Sequence, residues 1–225
     1  MDAVARVNPV LRGDELMLSP DELLSWYQRL QISEAARGEI DRIRSSGPSR
    51  RVGGGSSNVS GCYPSRKMGV TIQFESHRVE LAFIHEMEHD PGVLEYHDQP
   101  HAIPLEYLSA GGRRVKVMHT PDYFVIRTDT AEWVECKTNE DLVTLAQKSP
   151  NRYGHGDDER WHCAPGEAYA ERFRLGYRVR SSAEINWVYQ RNIQFLEDYF
   201  CLIPLPHRMS GLSYWLKLQP SLALA

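Results

Sequence analysis

The sequence predicts a mixed α/β domain, a mostly antiparallel sheet flanked by helices, with a helical region ahead of it. Two runs of β-branched and aromatic residues, 120–126 and 131–137, are separated by a polar turn at Thr128-Asp129-Thr130 and read as adjacent strands. Helix-start signals recur at Ser19-Pro20-Asp21-Glu22, Ser33 and Ser76. Apolar residues make up 41% and charged residues 25% of 225, with a formal net charge of −4. That is an ordinary composition for a chain long enough to bury a sizeable core in one or two domains.

At the N-terminus, Met1-Asp2-Ala3-Val4-Ala5-Arg6 is not a basic region followed by an apolar stretch, and no run of about eighteen apolar residues occurs anywhere. Neither a secretory signal nor a membrane span is expected, and a cytoplasmic setting follows. A first helix opens at Pro20 with Leu23, Leu24, Tyr27 and Leu30 as its apolar face, and a second runs over 34–44 behind Ser33. Residues 45–69 are rich in Ser, Gly, Pro and Asn and contain Arg50, Arg51, Arg66 and Lys67 but no acid. Such a stretch reads as a flexible loop, either a solvated linker or an arm that contacts phosphates and orders on DNA. The acidic balance of the whole chain implies that partners help to deliver a nucleic acid.

The stretch from Phe74 to Pro91 reads as a helix capped by Ser76, with Val79, Ala82, Phe83 and Met87 as its apolar stripe and Pro91 as its stop. Glu80 flanks that stripe one turn before Ile84, so it is either an acid looking toward the sheet or one of several surface acids. His85-Glu86-Met87-Glu88-His89 matches the H-E-x-x-H pattern of zinc proteases, which needs a third ligand and a cleft. His85, Glu86 and His89 are expected off the apolar stripe, as a solvated last turn that suits the helix dipole.

Further on, 93–99 and 103–108 look extended, and Ser109-Ala110-Gly111-Gly112 turns into a strand over 113–119. With the two strands already named, this predicts an antiparallel meander. Residues 139–148 read as a helix, 149–165 as a polar loop, 166–175 as a helix, 177–180 as a short strand and 183–200 as mostly helical. The cysteines Cys62, Cys136, Cys163 and Cys201 form no C-x-x-C pair and are expected as reduced thiols.

Side chains alternate along a strand, so Glu135 and Lys137 share one face while Val134 and Cys136 take the other. Asp122 opens the preceding strand, where a ladder would set its carboxylate beside them. Two carboxylates and an ammonium suit metal-dependent phosphodiester hydrolysis: the acids hold Mg²⁺, and the lysine stabilises developing charge or activates the nucleophile. Pro121-Asp122 followed after thirteen residues by Glu135-Cys136-Lys137 is similar to the PD-(D/E)xK nuclease signature. The plainer reading is a turn start and the solvated face of an edge strand.

The order Glu75-Ser76, Glu80, Asp90-Pro91-Gly92-Val93, Tyr96, Gln99-Pro100, Thr120-Pro121-Asp122 and Glu135-Cys136-Lys137 resembles the TnsA family, the endonuclease subunit of heteromeric transposases. The resemblance covers the middle third of the chain closely and residues 170–199 more loosely. It implies a restriction-endonuclease-like domain over 66–200. The helices and basic loop over 1–65 lie ahead of it, and the tail over 201–225, with Trp215 and Leu216 between prolines, either docks on a partner or is the start of a further segment. It also implies a bacterial protein that uses Mg²⁺, with Mn²⁺ able to substitute, to cut one strand of duplex DNA at each transposon end. The implied partners are a DDE transposase and an AAA+ regulator. Carried over, Asp122 and Glu135 ligate metal, Glu80 supports a metal or water, Lys137 handles charge and Gln99 is an accessory residue; Arg50, Arg51, Arg66 and Lys67 remain the candidate DNA contacts. Glu rather than Gln before x-Lys departs from some members and keeps the pattern close to ordinary PD-(D/E)xK nucleases. A free-standing restriction or defence nuclease and a non-catalytic assembly subunit stay open beside this reading.

Overall fold

The computed structural model describes residues 17–50 and 60–200; the expectations for the first six residues, Arg51, Cys201, Trp215 and Leu216 lie outside that range. Among the described residues the chain is mixed α/β, with six α-helices and a four-stranded mixed sheet. No helix among them is long and apolar enough to cross a membrane.

Helix α1 (Pro20–Arg29) begins as its sequence demands: Ser19 and Glu22 form a reciprocal capping box, and Pro20 occupies the first turn. Its buried face is Leu23, Trp26 and Tyr27, while Leu24, expected inside, is 47% exposed. Trp26 takes that place because its indole N–H reaches the Arg127 carbonyl at 2.8 Å. Helix α2 (Glu34–Ser45) is capped by Ser33 and tied down by Arg44, whose Nε and Nη2 grip the fully buried Glu95 at 2.8 and 2.9 Å.

The stretch after α2 is less loop-like than its composition predicts. Strands β1 (Gly61–Pro64) and β2 (Thr71–Phe74) pair antiparallel, and Met68 in the turn between them is 1% exposed. Helix α3 (Glu80–His89) starts later than expected, since Ser76 accepts from Val79 N in a preceding turn and does not cap the helix. All of residues 80–85 and Met87 are buried, so α3 is an interior helix, not one with a single apolar stripe. His85, expected on a solvated turn, is 2% exposed and packs edge-on against Tyr63.

The central sheet has the order β10-β7-β6-β3, built from β3 (Val93–Asp98), β6 (Tyr123–Arg127), β7 (Ala131–Lys137) and β10 (Gly176–Ser181). The first three run antiparallel, and β10 joins β7 in parallel after a crossover. The predicted meander is therefore replaced by an insertion. Strands β4 (Ile103–Leu108) and β5 (Arg114–His119) form a separate hairpin between β3 and β6, turning at Gly112 with φ +76°. Helix α4 (Asn139–Lys148) follows β7 directly, over the range expected, and Thr138 is its N-cap. The polar loop expected next carries a short hairpin, β8 (Tyr153–His155) with β9 (Trp161–Cys163), leading into α5 (Ala164–Glu171).

Alternation along β6 and β7 divides the core in two. Phe124, Ile126, Ala131 and Trp133 face α1, α2, the β4–β5 hairpin and α5; Tyr123, Val125, Val134 and Cys136 face α3 and the β1–β2 hairpin. Because α1 and α2 share a core with the sheet, residue 65 is not a packing boundary. The chain divides after Ile185 instead. The second unit starts with helix α6 (Trp187–Phe200), capped by Asn186, whose Oδ1 accepts from Val188 N and Tyr189 N.

Candidate active site

Strand pairing brings the sequence-predicted acids to one end of the sheet. Asp122 sits immediately before β6; its N–H donates to the Val134 carbonyl at 3.0 Å, and its Oδ2 accepts from Cys136 N at 2.7 Å. The Asp122 carboxyl therefore caps the ladder between Val134 and Cys136, next to the outgoing Glu135 and Lys137. Its pKa is pushed well up by burial first and then by the negative charge of Glu80, against the pull of Lys137. Glu80, in the first turn of α3, is 6% exposed, so it is not one of the surface acids of that helix. Burial raises it too, opposed by the N–H of Glu75, which donates to Oε2 at 2.9 Å.

Glu135 behaves differently. It is 1% exposed, yet four groups address it. Oε1 accepts from the Tyr153 hydroxyl at 2.7 Å and pairs with Lys137 Nζ at 3.0 Å. Oε2 accepts from the Tyr177 hydroxyl at 3.0 Å and lies 3.5 Å from His119 Nε2. Burial pushes the Glu135 pKa up, but Lys137, His119 and Tyr153 together outweigh it and hold the carboxyl below its usual value. Lys137 answers in kind: desolvation works against its charge, Glu135 and Asp122 favour it, and the pKa ends raised. It is an ammonium at neutral pH.

Gln99 lies alongside. It is fully buried, takes a left-handed backbone with φ +46° and donates its N–H to the Asp122 carbonyl at 2.8 Å. A non-glycine residue held there is strained, and such strain persists only where surroundings impose it. Its Oε1 accepts from Arg50 Nε at 2.6 Å, and Arg50 also pairs with Glu75 at 3.0 Å. Thus, among the described residues of the basic stretch, Arg50 is the one brought to the site. Lys67 is not: its Nζ donates to the carbonyls of Met87, Asp90 and Val93 at 2.6, 2.6 and 3.0 Å, leaving no N–H for a phosphate. Arg66 sits in the same turn, its backbone N–H bound by Glu88 at 2.8 Å.

Four residues here were not among the sequence-predicted site residues. Tyr153, Tyr177, His119 and Arg152 come from β8, β10, the end of β5 and the loop before β8. Arg152 Nη2 lies 3.3 Å from His119 Nδ1, and burial, Arg152 and Lys137 lower the His119 pKa to about 4 despite Glu135.

Two carboxyls that resist ionising side by side form a donor set a hard cation would relieve, and Mg²⁺ is commonly held by only one or two protein carboxylates together with substrate phosphate. Asp122 and Glu80 fit that role; Glu135, engaged with two tyrosines and Lys137, is arranged instead to hold Lys137. Among the described residues no group of three or more His, Cys, Asp or Glu converges to hold a metal on its own. That includes the H-E-x-x-H pattern, whose Glu86 is taken up by Arg180 at 2.8 and 2.9 Å. No protein-family model matches this chain, and no curated protein matches its sequence.

Proposed function

We propose that this chain is a metal-dependent DNA endonuclease with a restriction-endonuclease-like core, acting as the TnsA-like subunit of a heteromeric transposase on duplex transposon ends. The observation that carries the reading is geometric: strand pairing sets Asp122 against Cys136 N at 2.7 Å, between Glu135 and Lys137, which pair at 3.0 Å, and Glu80 is buried at the start of α3 close enough for its charge to act on Asp122. Asp122 and Glu80 would hold Mg²⁺, which when bound polarises a phosphodiester and acidifies a water molecule. The protein side of the chemistry follows from the geometry. Lys137, favoured as an ammonium by Glu135 and Asp122, stabilises the developing negative charge on the phosphate or donates a proton to the leaving oxygen. Tyr153 and Tyr177 keep Glu135 ionised and fixed, and Glu135 in turn fixes the ammonium. The transposase assignment, with its DDE and AAA+ partners, rests on the order of motifs from Glu75 to Lys137.

Calorimetry with Mn²⁺ on wild type and Asp122→Ala tests the centre independently of partners. Binding in the wild type that vanishes in the variant is expected, together with a loss of Mg²⁺-dependent strand cleavage of at least about a thousandfold. Full cleavage by Asp122→Ala would remove this mechanism. Cleavage by the chain alone, without transposase partners, would favour the free-standing nuclease.

A further inference from the structure

The two acids of the centre rest on supports that meet at one side chain. On the Asp122 side the support is Gln99, whose backbone N–H, backbone carbonyl and side-chain oxygen are all engaged. The N–H donates to the Asp122 carbonyl at 2.8 Å, the carbonyl accepts from Ser49 N at 2.8 Å, and Oε1 accepts from Arg50 Nε at 2.6 Å. Ser49 Oγ adds a bond to the Pro100 carbonyl at 3.0 Å. These contacts are the surroundings that hold a fully buried non-glycine residue at φ +46°.

On the Glu80 side the support is Glu75. Its N–H donates to Glu80 Oε2 at 2.9 Å, and its own carboxylate pairs with Arg50 Nη1 at 3.0 Å. Arg50 therefore closes a path that runs from Asp122 through Gln99, Arg50 and Glu75 to Glu80. The two ends of the path are neighbours, since the charge of Glu80 acts on Asp122. A guanidinium suits the joint because its N–H groups sit in a rigid planar fork, which an ammonium lacks. Residues that orient metal-binding side chains from behind matter to the metal, and their loss typically weakens its binding about 10- to 100-fold.

We propose that Arg50 is a positioning residue of the metal centre, fixing the Asp122 and Glu80 carboxyls relative to each other through Gln99 and Glu75. The proposal rests on the reading of those two acids as the Mg²⁺ ligands. It gives Arg50 an effect on cation binding opposite in sign to that of its charge. Arg50 is a cation whose charge acts on Glu80. On charge alone, removing it and leaving Glu75 unpaired would draw a divalent cation in more tightly. Loss of a positioning residue does the reverse.

The test is calorimetry with Mn²⁺ on the DNA-free protein, at one pH and ionic strength. It compares wild type, Arg50→Ala, Arg50→Lys, Gln99→Met and the double variant Arg50→Ala with Gln99→Met. Each single variant should bind Mn²⁺ about tenfold more weakly. Arg50→Lys should not recover the affinity, because it restores the charge without the fork. The double variant should lose no more than the larger single loss, as two residues on one path do. Arg50 is half-exposed, so its two variants should keep the wild-type urea midpoint, which separates a displaced centre from a lost fold. Wild-type or tighter Mn²⁺ binding by Arg50→Ala, full recovery in Arg50→Lys, or losses that add in the double variant would overturn the positioning role and leave the centre standing. No Mn²⁺ binding by the wild type would overturn the centre and the role together. Mn²⁺ binding that weakens in the variants, with no phosphodiester cleavage even alongside partners, would keep the role and reject the endonuclease.

Discussion

Glu135 and Asp122 occupy neighbouring positions on paired strands, and burial acts on both, yet one carboxyl is held ionised and the other is pushed toward its neutral form. Desolvation is the largest influence on each, so the neighbours decide the outcome. Glu135 meets two tyrosine hydroxyls, an ammonium and an imidazole; Asp122 meets another acid and a single backbone N–H, and the pull of Lys137 does not outweigh burial and Glu80. The donor-rich pocket belongs to segments that fold across the sheet late in the chain, β8 and β10, while the donor-poor pair lies where α3 approaches β6. The contrast separates a positioning acid from acids suited to a cation.

Glu135→Gln should therefore be the costly exchange. It removes the negative partner of Lys137 while leaving the ammonium and two buried hydroxyls in place, a loss of about 3 kcal/mol on the scale of broken buried pairs. Asp122→Asn replaces a carboxyl that burial and Glu80 already push toward its neutral form, so its cost should be below about 1 kcal/mol. Urea titration of both variants at neutral pH compares them directly. Equal losses would mean that the two carboxyls do not differ as described.

The same difference gives opposite pH slopes. Glu135, held below its ordinary value, contributes stability that is present above the ordinary carboxylate range and is lost as pH falls through its lowered folded value. Asp122 and Glu80 are held above theirs, so over the range from ordinary carboxylate values toward neutral pH the unfolded chain has ionised while the fold keeps its protons. Their contribution declines as pH rises through that window. Asp122→Asn should flatten the decline, and Mg²⁺ should flatten it in the wild type by favouring the ionised pair. A decline that survives undiminished in Asp122→Asn would sink the repelling-pair account.

Much of this site was legible in the sequence, and the parts that were not share a cause. The β6–β7 pair follows from local alternation, so Asp122, Glu135 and Lys137 could be placed together from strand geometry alone. Glu80 could be named but not weighed, because the burial of α3 on all sides depends on the β1–β2 hairpin, hidden in a Gly- and Ser-rich stretch. The β8–β9 strands are three residues each, too short for any periodicity, yet they deliver Tyr153 to Glu135. Tyr177 arrives from 42 residues away through a parallel crossover. The meander failed for a related reason: the extended runs were right, but which strand pairs with which is decided by the shared core and not by chain order.

The basic stretch offers the finest version of the comparison, since Arg50 and Lys67 look alike in sequence and differ in place. Arg50 is 48% exposed along its side chain and reaches Gln99 at the site, so Arg50→Ala should reduce the slope of log affinity for duplex DNA against log salt by about one, with stability changed by no more than about 0.5 kcal/mol. Lys67 spans the end of α3 and the start of β3 with an ammonium whose pKa burial lowers to about 8. Lys67→Met leaves three carbonyls without their donor and removes the cation at the helix C-terminus, a cost of about 1–2 kcal/mol, with the salt slope unchanged. Anisotropy and urea titration on the two variants form a double dissociation. A shallower slope in Lys67→Met, or a stability loss confined to Arg50→Ala, would mean that the two cations have exchanged the roles their contacts assign.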